Sequence, residues 1–280
     1  MAETALVLGG GGLTGIGWEI GLLAGLATAG IDLTGAELVI GTSAGSIVGA
    51  QVTSGRHTLE EMYERQLAAP QGPPGARMGP AAMARFAAIA LSSRDAVSFG
   101  ARMGRLALAA RKGAGADQRA VIARTLGAAD WPTRRLMITA VDSATGERTA
   151  FDDTSGVALV DAVTASCAVP GVFPPVAIDG KRWIDGGVHS SANADLAAGY
   201  GRVVVVAPMA AGGGPIAAPR TQGERLARQG ARVCVITPDR AAREAFGRNV
   251  LDPTKRAAAA RAGRRQSTTH AEDIRRIWSD

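Results

Sequence analysis

Ser43 stands in Leu38-Val39-Ile40-Gly41-Thr42-Ser43-Ala44-Gly45-Ser46-Ile47-Val48, where a buried-strand pattern meets a serine with glycine two residues to either side and then turns helical. A strand that bends sharply into a helix at that point lifts the serine hydroxyl out of the backbone, and Gly41 and Gly45 leave room for the strained turn. The helix that follows aims its first amides and its positive dipole end at the reacting centre. The chemistry is nucleophilic attack by serine. With 37 glycines in the chain the spacing alone recurs by chance, so the strand-before, helix-after context carries the reading.

A second segment, Gly9-Gly10-Gly11-Gly12-Leu13-Thr14-Gly15, follows the apolar run Thr4–Leu8 and opens another helical pattern. Consecutive glycines there leave N–H groups unshielded, able to cradle a phosphate or to hold the oxyanion of a tetrahedral intermediate. Gly10, Gly12 and Gly15 also satisfy G-x-G-x-x-G, so a dinucleotide- or phosphate-binding module is the alternative. That alternative requires an acidic residue at the end of the next strand, where a ribose is held. The next strand ends in Gly41, and Glu37 stands at its beginning.

The third segment is Arg182-Trp183-Ile184-Asp185-Gly186-Gly187. Its carboxylate follows an apolar stretch and precedes two glycines, so it emerges at a tight, water-poor turn; an ordinary Asp-Gly turn uses the same pair. Of the three histidines, His57 reads as a surface loop residue and His270 lies in a polar C-terminal region. His189 lies four residues past Asp185. A serine–aspartate pair is the simpler arrangement. Cys167 and Cys234 form no disulfide framework and no His/Cys cluster has zinc spacing, so no metal and no cofactor are expected.

These segments need a scaffold, and the chain supplies short apolar strands alternating with helical patterns. Thr4–Leu8, the strand before Ser43, Leu136–Val141 with Glu147–Phe151 as a hairpin, Val203–Ala207 and Val233–Thr237 read as strands. Helices are expected from Ile16 to about Gly30, from Ser43 to about Ser54 and from about Leu159 to Cys167, with polar, arginine-rich helices after Asp252. The pattern is α/β with a largely parallel sheet. Pro70–Gly79 reads as a linker, and the segment to about Gly115 as a helical insertion acting as lid or cap. There are no internal repeats.

Residues 71–112 carry seven basic side chains (Arg77, Arg85, Arg94, Arg102, Arg105, Arg111, Lys112) against one acid, Asp95. A second basic group, with Arg261, Arg264, Arg265, Arg275 and Arg276, lies near the C-terminus. Such faces attract phosphates, and ordinary solvated helices of an arginine-rich protein look much the same. No run reaches the 18 or so apolar residues of a membrane span, and no signal-peptide pattern precedes Thr4. A cytoplasmic protein with possible peripheral contact to an anionic membrane surface is expected.

Four blocks in fixed order carry a family resemblance: Gly10-Gly11-Gly12-Leu13-Thr14-Gly15, Gly41-Thr42-Ser43-Ala44-Gly45, Ala165-Ser166-Cys167-Ala168-Val169-Pro170-Gly171-Val172-Phe173-Pro174-Pro175, and Asp185-Gly186-Gly187. Over about residues 5–210 the chain resembles the patatin-like phospholipases. The resemblance implies a three-layer α/β/α fold with a mostly parallel central sheet. It implies one patatin-like domain over residues 1–280, with a core at about 5–210, a helical insertion at about 71–115 and an arginine-rich helical region at about 240–280. It implies a serine acyl hydrolase acting on lipid or acyl-ester substrates, with Ser43 as nucleophile, Asp185 as base and the amides of Gly10, Gly11 and Gly12 as oxyanion hole. Gly15, Gly41, Gly45, Gly186 and Gly187 are the motif glycines, and no nucleic acid is expected as partner. The chain departs from the family where many members carry Lys or Arg at the place of Thr14, and where Asn193-Ala194-Asp195 replaces a frequent Asn-x-Pro.

Overall fold

A computed structural model describes residues 3–69, 79–109, 115–127 and 130–278. Its strands are β1 (Thr4–Leu8), β2 (Leu38–Gly41), β3 (Arg135–Asp142), β4 (Arg148–Phe151), β5 (Val176–Ile178), β6 (Lys181–Asp185), β7 (Arg202–Val206) and β8 (Arg232–Ile236). The helices are α1 (Gly12–Thr28), α2 (Ala44–Ser54), α3 (Leu59–Leu67), α4 (Pro80–Ser92), α5 (Ala96–Ala109), α6 (Gly115–Leu126), α7 (Leu159–Ser166), α8 (Pro219–Arg228), α9 (Arg240–Phe246) and α10 (Arg256–Trp278).

All eight strands form one sheet of order β5-β6-β3-β2-β1-β7-β8, with β4 paired to β3. β3, β2, β1, β7 and β8 are mutually parallel, as the alternation of strands and helices predicts. The central strands are apolar without a break because both faces are covered. Leu6 and Leu8 of β1 enter a cluster with α1, α2 and α10, while Ala5 and Val7 meet Ala194, Tyr200 and Leu226 on the other side. The sheet is therefore the middle of three layers.

α1 is buried nearly all round, and its Gly17-x-x-x-Gly21-x-x-x-Gly25 stripe lets α10 approach closely. Trp18 Nε1 donates to Gln266 Oε1 of α10 at 3.0 Å, and Gln266 Nε2 donates in turn to the Thr237 carbonyl at 2.8 Å beyond β8. The C-terminal arginines mostly stitch this layer together. Arg264 pairs with Glu60 at 2.7 Å and lies over the Tyr63 ring, Arg275 donates to the Ala29 carbonyl, and Arg276 pairs with Asp273.

The β3–β4 hairpin, both flanking strands and α7 lie where the sequence predicts them. The β5–β6 hairpin and α3 were not predicted. Both carry local signals: Asp179-Gly180, each with positive φ, turns the hairpin between apolar runs, and Thr58 with Glu61 forms a capping box before α3. Of the expected linker, residues 70–78 lie outside the described residues, as do Arg77, Arg111 and Lys112 of the basic segment. α4 and α5 cover the ends of β3 and β6, where Phe99 and Met103 pack on Val141, Ile184 and Val188.

Candidate active site

The site forms where two strands meet head to head. Ile138 of β3 pairs with Gly41 on one side and Phe151 on the other, and Ala140 pairs with Thr149 and Asp185. β4 thus takes one edge of β3, while β2 and β6 share the opposite edge and run toward each other. Their ends carry Ser43 and Asp185. Backbone pairing alone brings these two side chains to the same gap in the sheet, opposite Thr139.

Ser43 is the residue between β2 and α2, with φ 52° and ψ −114°. A non-glycine residue in that region is strained by roughly 1–3 kcal/mol, so the surroundings must hold it. The Ser43 N–H donates to Ser166 Oγ at 2.8 Å, and its carbonyl accepts from Ser46 Oγ at 2.6 Å and from Cys167 Sγ at 3.4 Å. Gly45 lies on the first turn of α2 against the Leu8 carbonyl of β1, where a Cβ would overlap the backbone. The bend can be that tight only with glycine there.

Asp185 ends β6 and is 4 % exposed. Its carboxyl accepts the Gly187 N–H at 2.7 Å, and the Ser43 side chain is near enough to favour its charged form. Burial pushes its pKa up to about 7, and the Ser43 side chain and the Gly187 N–H only partly offset that. Gly186 lies against Thr139, whose hydroxyl and carbonyl fill the space a Cβ would need. Neighbouring Cys167 is pushed up to about 12, first by burial and then by the Asp185 charge, so its thiol stays protonated.

The glycine loop lies on the other side of Ser43. Gly10 contacts the Ser43 Cβ side, but its N–H is already donated to the Ser191 carbonyl at 2.7 Å. Gly11 caps α1 and Gly12 begins it, and neither N–H has a partner among the described residues. These are the orphan donors of a helix N-terminus. Pro208 packs on Gly11 and Gly15. Thr14, at the place of the family's frequent cation, is fully buried, and its N–H donates to the Val250 carbonyl at 3.0 Å.

Asn193 is a position at the candidate site that sequence reasoning missed, having appeared only as a departure from a pattern. It is fully buried with φ 53°, and its side-chain amide lies within hydrogen-bonding distance of Thr42 Oγ1, Thr139 Oγ1 and the carbonyls of Gly186 and Ser190. It fills the gap between the two strand ends.

None of the histidines joins this group. His189 sits beside Arg148 and Asp195, and burial holds its pKa below the ordinary value. His270 lies near Gln266 on α10. His57 lines a cavity with Asp32, Glu60 and Arg134 at the far ends of α1 and α2 from Gly12 and Ser43. Glu37 accepts the Thr4 N–H at 2.7 Å, at the beginning of β2 rather than its site end. Among the described residues no group of His, Cys, Asp and Glu is arranged to hold a metal, and no helix is long and apolar enough to cross a membrane.

VipD from Legionella pneumophila superposes with a TM-score of 0.47 at 12% identity, over 98% of this chain and 67% of VipD. The type III effector protein ExoU gives a TM-score of 0.42 at 16% identity, over 98% of this chain and 53% of ExoU. No curated protein matches the sequence. The sequence model described as patatin-like phospholipase matches residues 6–198, a span that holds Ser43, Asp185 and Asn193. The chain belongs to the patatin-like phospholipases, a family of lipid acyl hydrolases.

Proposed function

We propose that the protein hydrolyses carboxylic esters of lipids through a Ser43–Asp185 dyad. The observation that carries this reading is that the ends of β2 and β6, paired along one edge of β3, bring Ser43 to a buried Asp185 whose pKa is pushed up to about 7. An aspartate at its ordinary 3.8 is a poor acceptor for a serine proton, whereas one near 7 is matched to the task at neutral pH.

In this mechanism Asp185 takes the Ser43 proton as Oγ attacks the ester carbonyl carbon. The negative charge that develops on the carbonyl oxygen is met by the N–H groups of Gly11 and Gly12 and by the N-terminal end of α1. Gly10 has a different task, since its amide ties the loop to Ser191. Collapse of the intermediate breaks the ester C–O bond, and Asp185 returns its proton to the departing alcohol. Asp185 then deprotonates a water that attacks the acyl-enzyme, and as the acyl–Oγ bond breaks it returns that proton to Ser43 Oγ, releasing the fatty acid. We include in the proposal that the whole chain acts as one catalytic unit, since α1 bears the oxyanion donors and is clamped by α10. Action at an anionic lipid surface, without nucleic acid as partner, is part of the same reading.

Turnover of p-nitrophenyl acyl esters of several chain lengths tests it. Ser43→Ala and Asp185→Asn should each lower kcat by about 10³-fold or more in folded protein, as removal of one member of a coupled nucleophile does elsewhere. An inert wild type, or an Asp185→Asn variant that keeps most of its rate, would rule the dyad out.

A further inference from the structure

α4 is apolar on two opposite sides. One side, with Phe86, Ile89 and Ala90, packs toward α5, where Phe86 meets Phe99 edge to face at 5.3 Å between ring centres. The other side leaves Met83, Ala84, Ala87, Ala88 and Leu91 exposed, the i, i+1, i+4, i+5, i+8 spacing of a continuous stripe. Met83 is 60% and Leu91 86% exposed. Among the described residues, four of the six exposed large apolar side chains, these two with Val97 and Leu108, belong to α4 and α5, so the exposure is concentrated rather than scattered.

The charges around this stripe have one sign. Arg85 on α4, Arg94 just after it and Arg105 on α5 are exposed, and Arg102 of α5 reaches back to Ser92. The single acid, Asp95, is occupied in capping α5, where it accepts the Ser98 N–H at 2.7 Å. A helix hydrophobic on both sides with a cationic rim suits an interface that offers hydrocarbon beneath a layer of phosphate. A second copy of the chain would instead bring the same arginines against one another.

The opposite side of α4 is joined to the site. Gly214 lies against the backbone of Ala90 on α4, and the loop leading to it begins at Pro208, which packs on Gly11 and Gly15. On the other flank, Phe99 and Met103 of α5 pack on Ile184 and Val188, to either side of Asp185.

We infer that the exposed face of α4, with Met83 and Leu91 as apolar anchors and Arg85, Arg94 and Arg105 as phosphate contacts, seats the protein on an anionic lipid surface. α4 lies in the plane of the headgroups and brings the mouth of the Ser43 site against the substrate. The inference rests on reading the site as a lipid acyl hydrolase, but its binding test does not depend on turnover.

Vesicle co-sedimentation of the full chain tests it, with vesicles of phosphatidylcholine alone and of phosphatidylcholine and phosphatidylglycerol in equal parts. Ser43→Ala protein, run alongside wild type, keeps the lipid intact. Preferential binding to the anionic vesicles, weakened by salt, is expected. Met83→Asp/Leu91→Asp and Arg85→Glu/Arg105→Glu should each lower that binding by about tenfold or more, while turnover of a soluble short-chain ester stays within about twofold of wild type. Equal binding to both vesicle types, or double variants that bind as wild type does, would overturn it. So would a wild-type dimer in analytical ultracentrifugation that Leu91→Asp converts to monomer, because a second copy would then own the face. A protein that binds anionic vesicles through α4 yet hydrolyses no ester would leave this inference standing and remove the dyad.

Discussion

Asn193 donates its side-chain amide to Thr42 Oγ1 at 3.0 Å across 151 residues of sequence, and the same amide reaches the Gly186 carbonyl at 3.3 Å. One side chain therefore ties the residue before Ser43 to the residue after Asp185. Asn193→Asp keeps the shape and tolerates the left-handed backbone but replaces both N–H donors with acceptors facing two carbonyls. A stability loss of about 1–3 kcal/mol is expected from the unsatisfied buried groups. The distinguishing result is a fall in kcat by about tenfold or more with KM for a short ester nearly unchanged. A variant that is less stable but has wild-type kcat would make Asn193 purely structural.

The dyad requires Asp185 ionised before attack. With a pKa near 7, kcat/KM should rise about tenfold per pH unit from pH 5 and level off just above 7. A profile flat over that range, or one that levels near pH 4, would contradict the assignment. Stability runs the other way. The folded pKa lies above the unfolded value of 3.8, so between about pH 4 and 7 the folded chain holds a proton that the unfolded chain has released. The contribution of this group is fully present below pH 4 and is lost as pH rises toward 7.

Glu19 has the same sign and no catalytic excuse. It is fully buried on α1, burial raises its pKa well above 4.5, and neither carboxyl oxygen has a hydrogen-bond partner. The nearby Gly9 N–H favours its charged form but is already donated to the Val206 carbonyl at 2.9 Å. Glu19→Gln should therefore raise Tm at pH 8 by a few degrees and have a smaller effect at pH 5. About 1 kcal/mol corresponds to roughly 2–4 °C in a chain of this size. Equal shifts at both pH values in a thermal melt would show that Glu19 ionises alike in the folded and unfolded chain, so that burial does not raise its pKa.

Ser43, Asp185 and the glycine loop were legible because each depends on local rules: a strand–serine–helix bend, an Asp-Gly turn, a glycine run opening a helix. The parallel sheet was legible for the same reason, since strands covered on both faces must read as unbroken apolar runs. What joins the pieces was not legible. That Gly10 spends its amide on Ser191, that Thr14 bonds to Val250 and that Asn193 bridges two strand ends are facts of long-range pairing, with no periodicity to announce them. The exposed stripe of α4 was hidden differently. Met83, Ala87 and Leu91 fit helical spacing, but so do Phe86 and Ala90, and composition alone does not say which side meets α5.

Because β2 and β6 abut along one edge of β3, Ser43 and Asp185 meet only once strands from distant parts of the chain have both docked. Closing such a loop costs entropy before any contact repays it, so the last stretch of this sheet to zip is a slow, non-local event. A refolding chain can already have its parallel strands and helices in place and still be inert. Under the proposed dyad, recovery of ester turnover becomes a clock for the closure of the sheet and should lag behind recovery of helical structure.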